Sequence, residues 1–173
     1  MPPSLSRRFI SSLYEIFLLI AIYAVAASAS KTIFSLIGAT MPTWLVQVIA
    51  FASVGAYFAY TWQKTGQSLA QKTWHLKVIR NQTPHQSPTA IQAWLRYCAA
   101  FCLGVLPALL FTQTFSASPN ATLSFTLLIG AISMTLNWLA LLGTSMLNQQ
   151  RRALHEILSN TATLQQKNTE APW

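Results

Sequence analysis

The chain has 173 residues, of which 53% are hydrophobic and 8% are charged, and its formal net charge at pH 7 is +8. An ordinary soluble domain carries about 25% charged residues, so this composition argues against a soluble domain and is typical of a membrane protein. The positive charges lie near the ends of apolar segments and form no dense basic run with interleaved aromatic residues, so nucleic acid is not expected as a partner.

Four apolar stretches along the chain are each close to the roughly 20 residues that a helix needs to cross a bilayer. They are Phe9–Ala27, Trp44–Trp62, Trp94–Phe115 and Leu123–Leu147. We therefore predict an all-α fold, a polytopic membrane helical bundle with four transmembrane helices. A short cytoplasmic loop insertion is expected at 63–93 and a cytoplasmic tail at 148–173, within one membrane domain that covers 1–173. The lipid bilayer is then a partner of the whole domain.

The distribution of lysine and arginine predicts how these spans are oriented. Every such residue except Lys31 lies before the first span, after the fourth, or between the second span and the start of the third. Basic residues favour cytoplasmic loops, so both termini and the 63–93 loop are expected in the cytoplasm. One alternative is open at the N-terminus, where two arginines, an apolar run and Ala27-Ser28-Ala29 also resemble a cleavable signal. That run is longer than a usual signal core and contains Glu15.

The first span carries a polar stripe. Arg8, Ser11, Ser12 and Glu15 follow i, i+3, i+4, i+7 spacing, which places them on one helix face. An acid inside the hydrocarbon costs a few kcal/mol unless it is partnered or hydrated, so Glu15 is expected to face the bundle interior. Two interpretations stay open: a Glu15–Arg96 ion pair that fixes helix packing, or a carboxylate that titrates or binds an ion.

The 63–93 loop is the sizeable polar segment between the spans. Residues 67–72 allow a short surface helix, and Trp74, Leu76 and Val78 alternate with polar residues, which predicts a short strand. In the third span, Gly104 and Pro107 are expected to weaken the helix locally.

The fourth span carries a second polar stripe on one helix face. Its members recur at steps of three, four or seven residues: Thr126, Gly130, Ser133, Asn137, Thr144 and Asn148. Small and hydrogen-bonding residues commonly pack membrane helices together, so packing is one interpretation. The other is an oxygen-lined interior suited to a hard cation or a proton relay, with Glu15 facing this stripe. The candidate lining residues are then Ser11, Ser12, Ser133 and Asn137.

The tail after the fourth span is also patterned. Arg152 and Glu156 are four residues apart, and the apolar residues between and after them predict a short helix at the cytoplasmic membrane surface, with His155 solvated. An exposed pair at this spacing is worth only about 0.3–0.5 kcal/mol. We therefore expect Glu156 to reach back to Arg8 at the start of the first span and to close the bundle there.

Three stretches of the chain match a known pattern in the correct order. An acid follows Arg8 by seven residues, the segment Gly66–Lys72 runs into Leu76–Val78, and the segment Arg152–Glu156 ends the pattern. In this order they resemble the RDD family of integral membrane proteins, with Arg96 at the recurring arginine of the third span. The chain has no aspartate, so Glu15 and Glu156 stand at the two aspartate positions of that family, and Ala70 replaces the usual loop glycine.

The resemblance implies transport of an unidentified ligand, with cation/proton exchange suggested for some members of the family. We expect a protein of a bacterial inner membrane that takes part in transport of an ion or small solute. Glu15 would be the central carboxylate, Arg8 and Arg96 its electrostatic partners, and Arg152 and Glu156 a cytoplasmic clasp. Four spans rarely enclose a pathway alone, so a homo-oligomer or a membrane partner subunit is expected.

The alternative function is a non-transporting scaffold or assembly subunit that docks through its basic 63–93 loop. An enzyme is not expected, because no nucleophile, base and orienting group lie together in the sequence. Cys98 and Cys102 lie in the third span without a zinc or haem spacing, so neither a metal nor a cofactor is expected.

Overall fold

The computed structural model describes residues 2–81, 83, 86–116, 122–147 and 151–166, with the backbone alone for 115 and 116. The helices are α1 Leu5–Leu36, α2 Thr43–Thr65, α3 Leu69–Thr73, α4 Ala90–Ala100, α5 Leu106–Ser116, α6 Leu123–Gly143 and α7 Leu154–Leu158. A π-helical turn, Phe101–Val105, joins α4 to α5, and a 3-10 turn, Thr144–Met146, follows α6. The strands are β1 Leu76–Arg80 and β2 Thr161–Gln165.

Among the described residues, four helical segments are long and apolar enough to cross a membrane. They are Leu5–Leu36, Thr43–Thr65, Ala90–Thr114 and Leu123–Met146, which confirms the predicted four-span helical fold. The first is longer than predicted, since α1 runs on through residues 28–36, which the sequence had assigned to a loop. At 1.5 Å per residue α1 is about 48 Å long, whereas a hydrocarbon core is about 30 Å thick. One end of α1 therefore extends beyond the apolar layer.

The loop between the second and third spans is folded. It is shorter than predicted, since α2 ends at Thr65 and α4 begins at Ala90. Gly66 closes α2 in the left-handed conformation with φ +73°, and its carbonyl accepts a hydrogen bond from the Val78 N–H at 2.7 Å. A side chain at Gly66 would strain this turn, because non-glycine residues rarely adopt positive φ. The turn places α3 and β1 against the end of α2.

The loop and the tail are joined by a small antiparallel sheet. The predicted strand is present as β1, and its partner β2 comes from the tail, with Val78 opposite Thr163 and Arg80 opposite Thr161. The predicted tail helix is present as α7. Residues 148–150 and 167–173 of the predicted tail, including Asn148, lie outside the described residues. We call the end of the bundle that carries α3, β1, α7 and β2 the loop end.

A cluster of buried apolar residues lies near this loop end. It is formed by Ala59, Trp62, Val78, Ala93 and Tyr97. In contrast, only 11% of the most apolar 18-residue stretch is buried in each of the first and fourth spans, so most of the apolar surface of these two helices is exposed. This distribution suits helices that are surrounded by lipid along most of their length.

Candidate functional site

Two arginines and one glutamate from three different helices meet at the loop end. Arg8 of α1 donates from Nη1 to Oε2 of Glu156 at 3.0 Å, and Arg96 of α4 donates from Nη2 to Oε1 of the same carboxylate at 3.1 Å. The three residues are 5%, 4% and 1% exposed, respectively. We call Arg8, Arg96 and Glu156 the charged cluster. It ties the first span, the third span and the tail together.

Neutral groups from the tail add further hydrogen bonds to the charged cluster. Arg96 donates to the hydroxyl oxygens of Thr161 at 2.8 Å and Thr163 at 2.9 Å, both on β2. Arg8 donates from Nη2 to the carbonyl oxygen of Arg151 at 3.0 Å. The Thr163 hydroxyl donates to Glu156, which also accepts the Ala153 N–H at 3.0 Å. A buried carboxylate is thus surrounded by donors on both oxygens, which favours its charged form.

The electrostatics of the tail helix follow from this arrangement. Burial opposes the charge of Glu156, but Arg96 and then Arg8 outweigh it, and the pKa of Glu156 falls to about 2. His155 is also buried, not solvated as predicted, and its ring stacks on Trp138 with centroids 6.5 Å apart. Burial, and next the charge of Arg96, lowers the pKa of His155 to about 3. At neutral pH the tail helix therefore holds a charged Glu156 beside an uncharged His155.

Glu15 lies in a separate site whose partners are hydroxyl groups. The Tyr57 hydroxyl of α2 donates to Oε1 of Glu15 at 3.0 Å, and the Ser68 hydroxyl donates to Oε2. Both hydroxyl oxygens also accept backbone N–H groups, from Leu69 at 3.1 Å and from Gln71 at 3.2 Å. Glu15 itself is 7% exposed. We call Glu15, Tyr57 and Ser68 the Glu15 site.

The predicted ion pair between Glu15 and Arg96 is wrong. Among the described residues the ion pairs of Arg8 and Arg96 are both with Glu156, and Glu15 has none. The physical reason is that α7 brings its carboxylate between the two arginines, and two threonine hydroxyls of β2 accept further hydrogen bonds from Nη1 and Nη2 of Arg96. Arg8 and Arg96 are therefore partners of Glu156, not of Glu15.

The predicted clasp between Arg152 and Glu156 is also wrong. Arg152 is half-buried, and within the described parts of the chain it forms no ion pair with Glu156. Helix α7 begins at Leu154, after Arg152, so the helical i, i+4 geometry that the clasp requires does not exist. The other expectation for Glu156 is confirmed, since it reaches back to Arg8.

The predicted polar lining is not assembled around Glu15. Ser11 is buried on the same stripe of α1, as expected. The Ser12 hydroxyl, however, donates to the Arg8 carbonyl at 2.9 Å, and the Ser133 hydroxyl to the Ile129 carbonyl at 2.7 Å, each within its own helix. These two hydroxyls thus form their hydrogen bonds within their own helices, which is common for serine in helices.

Asn137 joins the third and fourth spans. Its Nδ2 donates to the carbonyl oxygens of Leu103 at 2.9 Å and Gly104 at 2.6 Å. Pro107 has no N–H with which to bond the carbonyl four residues earlier, which belongs to Leu103. The amide of Asn137 thus replaces a hydrogen bond that the proline removes, at the π-helical turn where the sequence predicted a weak helix. This supports the packing interpretation of the second polar stripe.

A comparison with protein families agrees with the motifs that hold these two sites. The model of the RDD family matches residues 2–160. The chain belongs to the RDD family. No curated protein and no solved structure matches it. The match contains Arg8, Glu15, Arg96 and Glu156 but ends before β2, so the strand that supplies hydroxyls to Arg96 lies beyond the matched region.

Sequence reasoning missed four polar residues of this RDD protein's two sites. Ser68 lies in the loop segment that carries the family resemblance, so its position was visible but its role as a partner of Glu15 was not. Tyr57 lies inside an apolar span, where a buried hydroxyl needs a partner, and this was an available signal. Thr161 and Thr163 alternate in the sequence, as the residues on one face of a strand do.

The two sites differ in the chemistry that they allow. In the charged cluster every charge has an opposite charge within hydrogen-bond distance, which suits a fixed structural connection. In the Glu15 site the carboxylate has neutral partners, so a proton or a cation can compensate its charge. Within the described residues, no three His, Cys, Asp or Glu side chains come together as a metal site.

Proposed function

We propose that this RDD-family membrane protein takes part in ion transport by cation/proton exchange, with Glu15 as the carboxylate that exchanges a proton for a cation. The observation that supports this role is the identity of the Glu15 partners. They are the neutral hydroxyls of Tyr57 and Ser68, and among the described residues no basic side chain forms an ion pair with Glu15. A buried, unpaired carboxylate is costly, so this setting favours uptake of a compensating positive charge.

The charged cluster has the complementary role in this proposal. Glu156 is compensated by Arg8 and Arg96 and has a pKa of about 2, so it stays charged across the physiological range. It would hold the first span, the third span and the tail in register while Glu15 changes state. In this proposal Glu156 thus stabilises the bundle, and Glu15 carries the exchanged charge.

We further propose that the protein lies in a bacterial inner membrane with its loop end in the cytoplasm. Basic residues support this orientation, since Arg8, Arg96 and Arg151 meet at the loop end and such residues favour the cytoplasmic side. A reporter fused after Lys77 should be cytoplasmic, and one fused at Ala39 should be on the opposite side. The reverse result would overturn the orientation. We also propose a homo-oligomer or a partner subunit, because four spans rarely enclose a pathway alone.

Ion flux in proteoliposomes tests the transport role. The purified protein is reconstituted with an internal pH-sensitive dye, and external Na⁺ or K⁺ is added to drive proton movement. We expect flux with the wild-type protein, retention of part of it in Glu15→Asp, and a loss of about tenfold or more in Glu15→Gln, as for removal of a group that carries the proton. Ser12→Ala is the matched control, because Ser12 lies on the same face of α1 and its hydroxyl bonds only its own helix.

The result that would contradict the transport role is equally specific. A folded Glu15→Gln variant with wild-type flux would exclude Glu15 as the exchanging group. If the folded wild-type protein instead carries no cation-driven flux, the second candidate function is favoured. That function is a scaffold docked through the loop end, where Lys64 and Lys72 are exposed to a partner.

A further inference from the structure

We infer that Glu15 and helix α3 form a latch, in which the ionised carboxylate holds α3 against the bundle and protonation of Glu15 releases it. The inference deepens the proposed function, because it names how the exchanging carboxylate would be opened to the loop end. It assigns to Tyr57 and Ser68 the role of positioning residues, through which the protonation state of Glu15 affects α3.

The direction of the hydrogen bonds is the first part of the argument. A hydroxyl has one hydrogen to donate. The oxygen of Tyr57 accepts the Leu69 N–H, and the oxygen of Ser68 accepts the Gln71 N–H, so each backbone donor already approaches its hydroxyl from α3. Each hydroxyl hydrogen then points at Glu15, one at each carboxylate oxygen. The first turn of α3 is thereby linked through two hydroxyls to both oxygens of one carboxylate.

An ionised Glu15 accepts both of these hydrogen bonds as a charged group. Hydrogen bonds to an ionised acceptor are roughly twice as strong as those between neutral groups. A proton taken up from solvent would make both connections neutral, and the new O–H would need an acceptor of its own. Protonation therefore weakens the connections between Glu15 and α3, so protonation and docking of α3 oppose each other.

Helix α3 depends on these connections because it is short and weakly anchored. It has five residues, well below the length at which an isolated helix is stable in water. Its Leu69 side chain is 60% exposed, while Ala70, at 2% exposed, is its buried contact with the bundle. A further anchor is the Trp62 indole, which donates to the Gln71 side chain at 2.9 Å. Loss of the Glu15 connection would thus loosen α3 without unfolding the spans.

No other titratable group competes with Glu15 in this role among the described residues. The groups that bond to it from the packed elements are the hydroxyls of Tyr57 of α2 and of Ser68, which precedes α3. The other titratable residues of α2 and α3 are exposed: Tyr60, Lys64 and Lys72. On α1 itself, Arg8 lies two helical turns away and is engaged by Glu156 and the Arg151 carbonyl. Helix α6, which also contacts α1, contains no titratable side chain.

Hydrogen exchange of backbone amides tests the latch. We measure the exchange of residues 71–73, none of which donates to Tyr57, in wild-type protein, Glu15→Gln and Tyr57→Phe at one pH. Glutamine imitates the protonated carboxyl, since it is neutral and presents one acceptor oxygen and one donor group, the NH₂. We expect exchange of residues 71–73 to accelerate about fivefold in Glu15→Gln, the ratio for loss of one hydrogen bond of about 1 kcal/mol. Tyr57→Phe removes one of the two connections, which is also one hydrogen bond, and should accelerate this exchange by a comparable factor.

The controls separate the latch from general loosening. Exchange in β1 and α4 should stay unchanged in both variants, and Ser12→Ala should leave residues 71–73 at the wild-type rate. Unchanged exchange of residues 71–73 in Glu15→Gln would overturn the latch, as would equal acceleration in β1. If Glu15→Gln does not fold, Tyr57→Phe decides alone, and no acceleration in that variant overturns the proposal.

The two proposals fail in different ways. Flux that depends on Glu15, together with unchanged exchange in residues 71–73, would keep the transport role and exclude the latch. Accelerated exchange in Glu15→Gln, together with no flux from the wild-type protein, would keep the latch and exclude the transport role.

Discussion

Neutralising Glu156 should destabilise the protein more than any change at a surface charge. Glu156→Gln removes the counter-charge of both Arg8 and Arg96, which are 5% and 4% exposed. An uncompensated buried charge is expensive because protein groups replace water poorly as its solvent. The variant leaves two such charges beside each other.

The size of the effect follows from the contacts that glutamine keeps. Breaking a buried ion pair by removing one partner costs about 3–5 kcal/mol. Glutamine retains one acceptor oxygen, which can still take the Ala153 N–H or one guanidinium, so we expect a loss near the lower end, about 3 kcal/mol. Arg152→Gln is the matched control, since Arg152 is half-buried next to the same helix and forms no ion pair with Glu156. It should cost about 0.5 kcal/mol or less.

The assay is reversible unfolding of the purified protein in mixed micelles, with the free energy of unfolding taken from denaturant titration. Combining Glu156→Gln with Arg8→Gln should cost less than the sum of the two single changes, because the second removes a charge that the first leaves unpaired. A loss in Glu156→Gln no larger than that in Arg152→Gln would refute the reasoning. So would strict additivity of the double variant.

The remaining predictions concern acid stability and packing. Folding lowers the pKa of His155 from 6.5 to about 3, so as the pH falls through this window the unfolded state takes up a proton first and the stability of the folded state declines. His155→Phe should shift that decline to lower pH in a series of unfolding measurements. An unchanged profile would contradict the burial of His155 as a neutral ring. A Cβ at Gly55 would lie 2.3 Å from the Trp94 ring, whereas one at Gly143 would meet nothing within 4 Å. Gly55→Ala should therefore cost about 1–3 kcal/mol by denaturant titration and Gly143→Ala should not, an order whose reversal would contradict the packing. Asn137→Leu should cost about 1–2 kcal/mol in the same assay, because two carbonyls lose their donor, and no loss would show that they find another.

Much of the bundle could be predicted from the sequence because a bilayer imposes strong constraints. The apolar lengths give the four spans, and the spacing of Arg8, Ser11 and Glu15 correctly places them on a buried face. The alternation around Leu76 and Val78 correctly gives β1. These signals are local, so a single segment of chain contains each of them.

The partners of each charge could not be predicted in the same way. Glu15 and Glu156 are both acids near the loop end, and sequence spacing gives no distance between helices that are far apart in the chain. Arg96 is held at Glu156 in part by Thr161 and Thr163, because their strand β2 pairs with β1 and brings two hydroxyls to Arg96. A strand of five residues whose partner lies in a distant loop has no local signature strong enough to reveal it.

The central claim is that Glu15 changes its charge while Glu156 stays charged. The ¹³C chemical shifts of the side-chain carboxyl carbons test it directly. The chain has only three acidic side chains, so ¹³C-glutamate NMR in bilayers gives three carboxyl resonances, which Glu15→Gln, Glu156→Gln and Glu170→Gln assign. We predict that the Glu15 resonance moves when cation-free bilayers are acidified and returns when Na⁺ or K⁺ is added, while the Glu156 resonance keeps its carboxylate position until the pH approaches about 2. A Glu15 resonance that stays fixed while that of Glu156 moves would contradict the account.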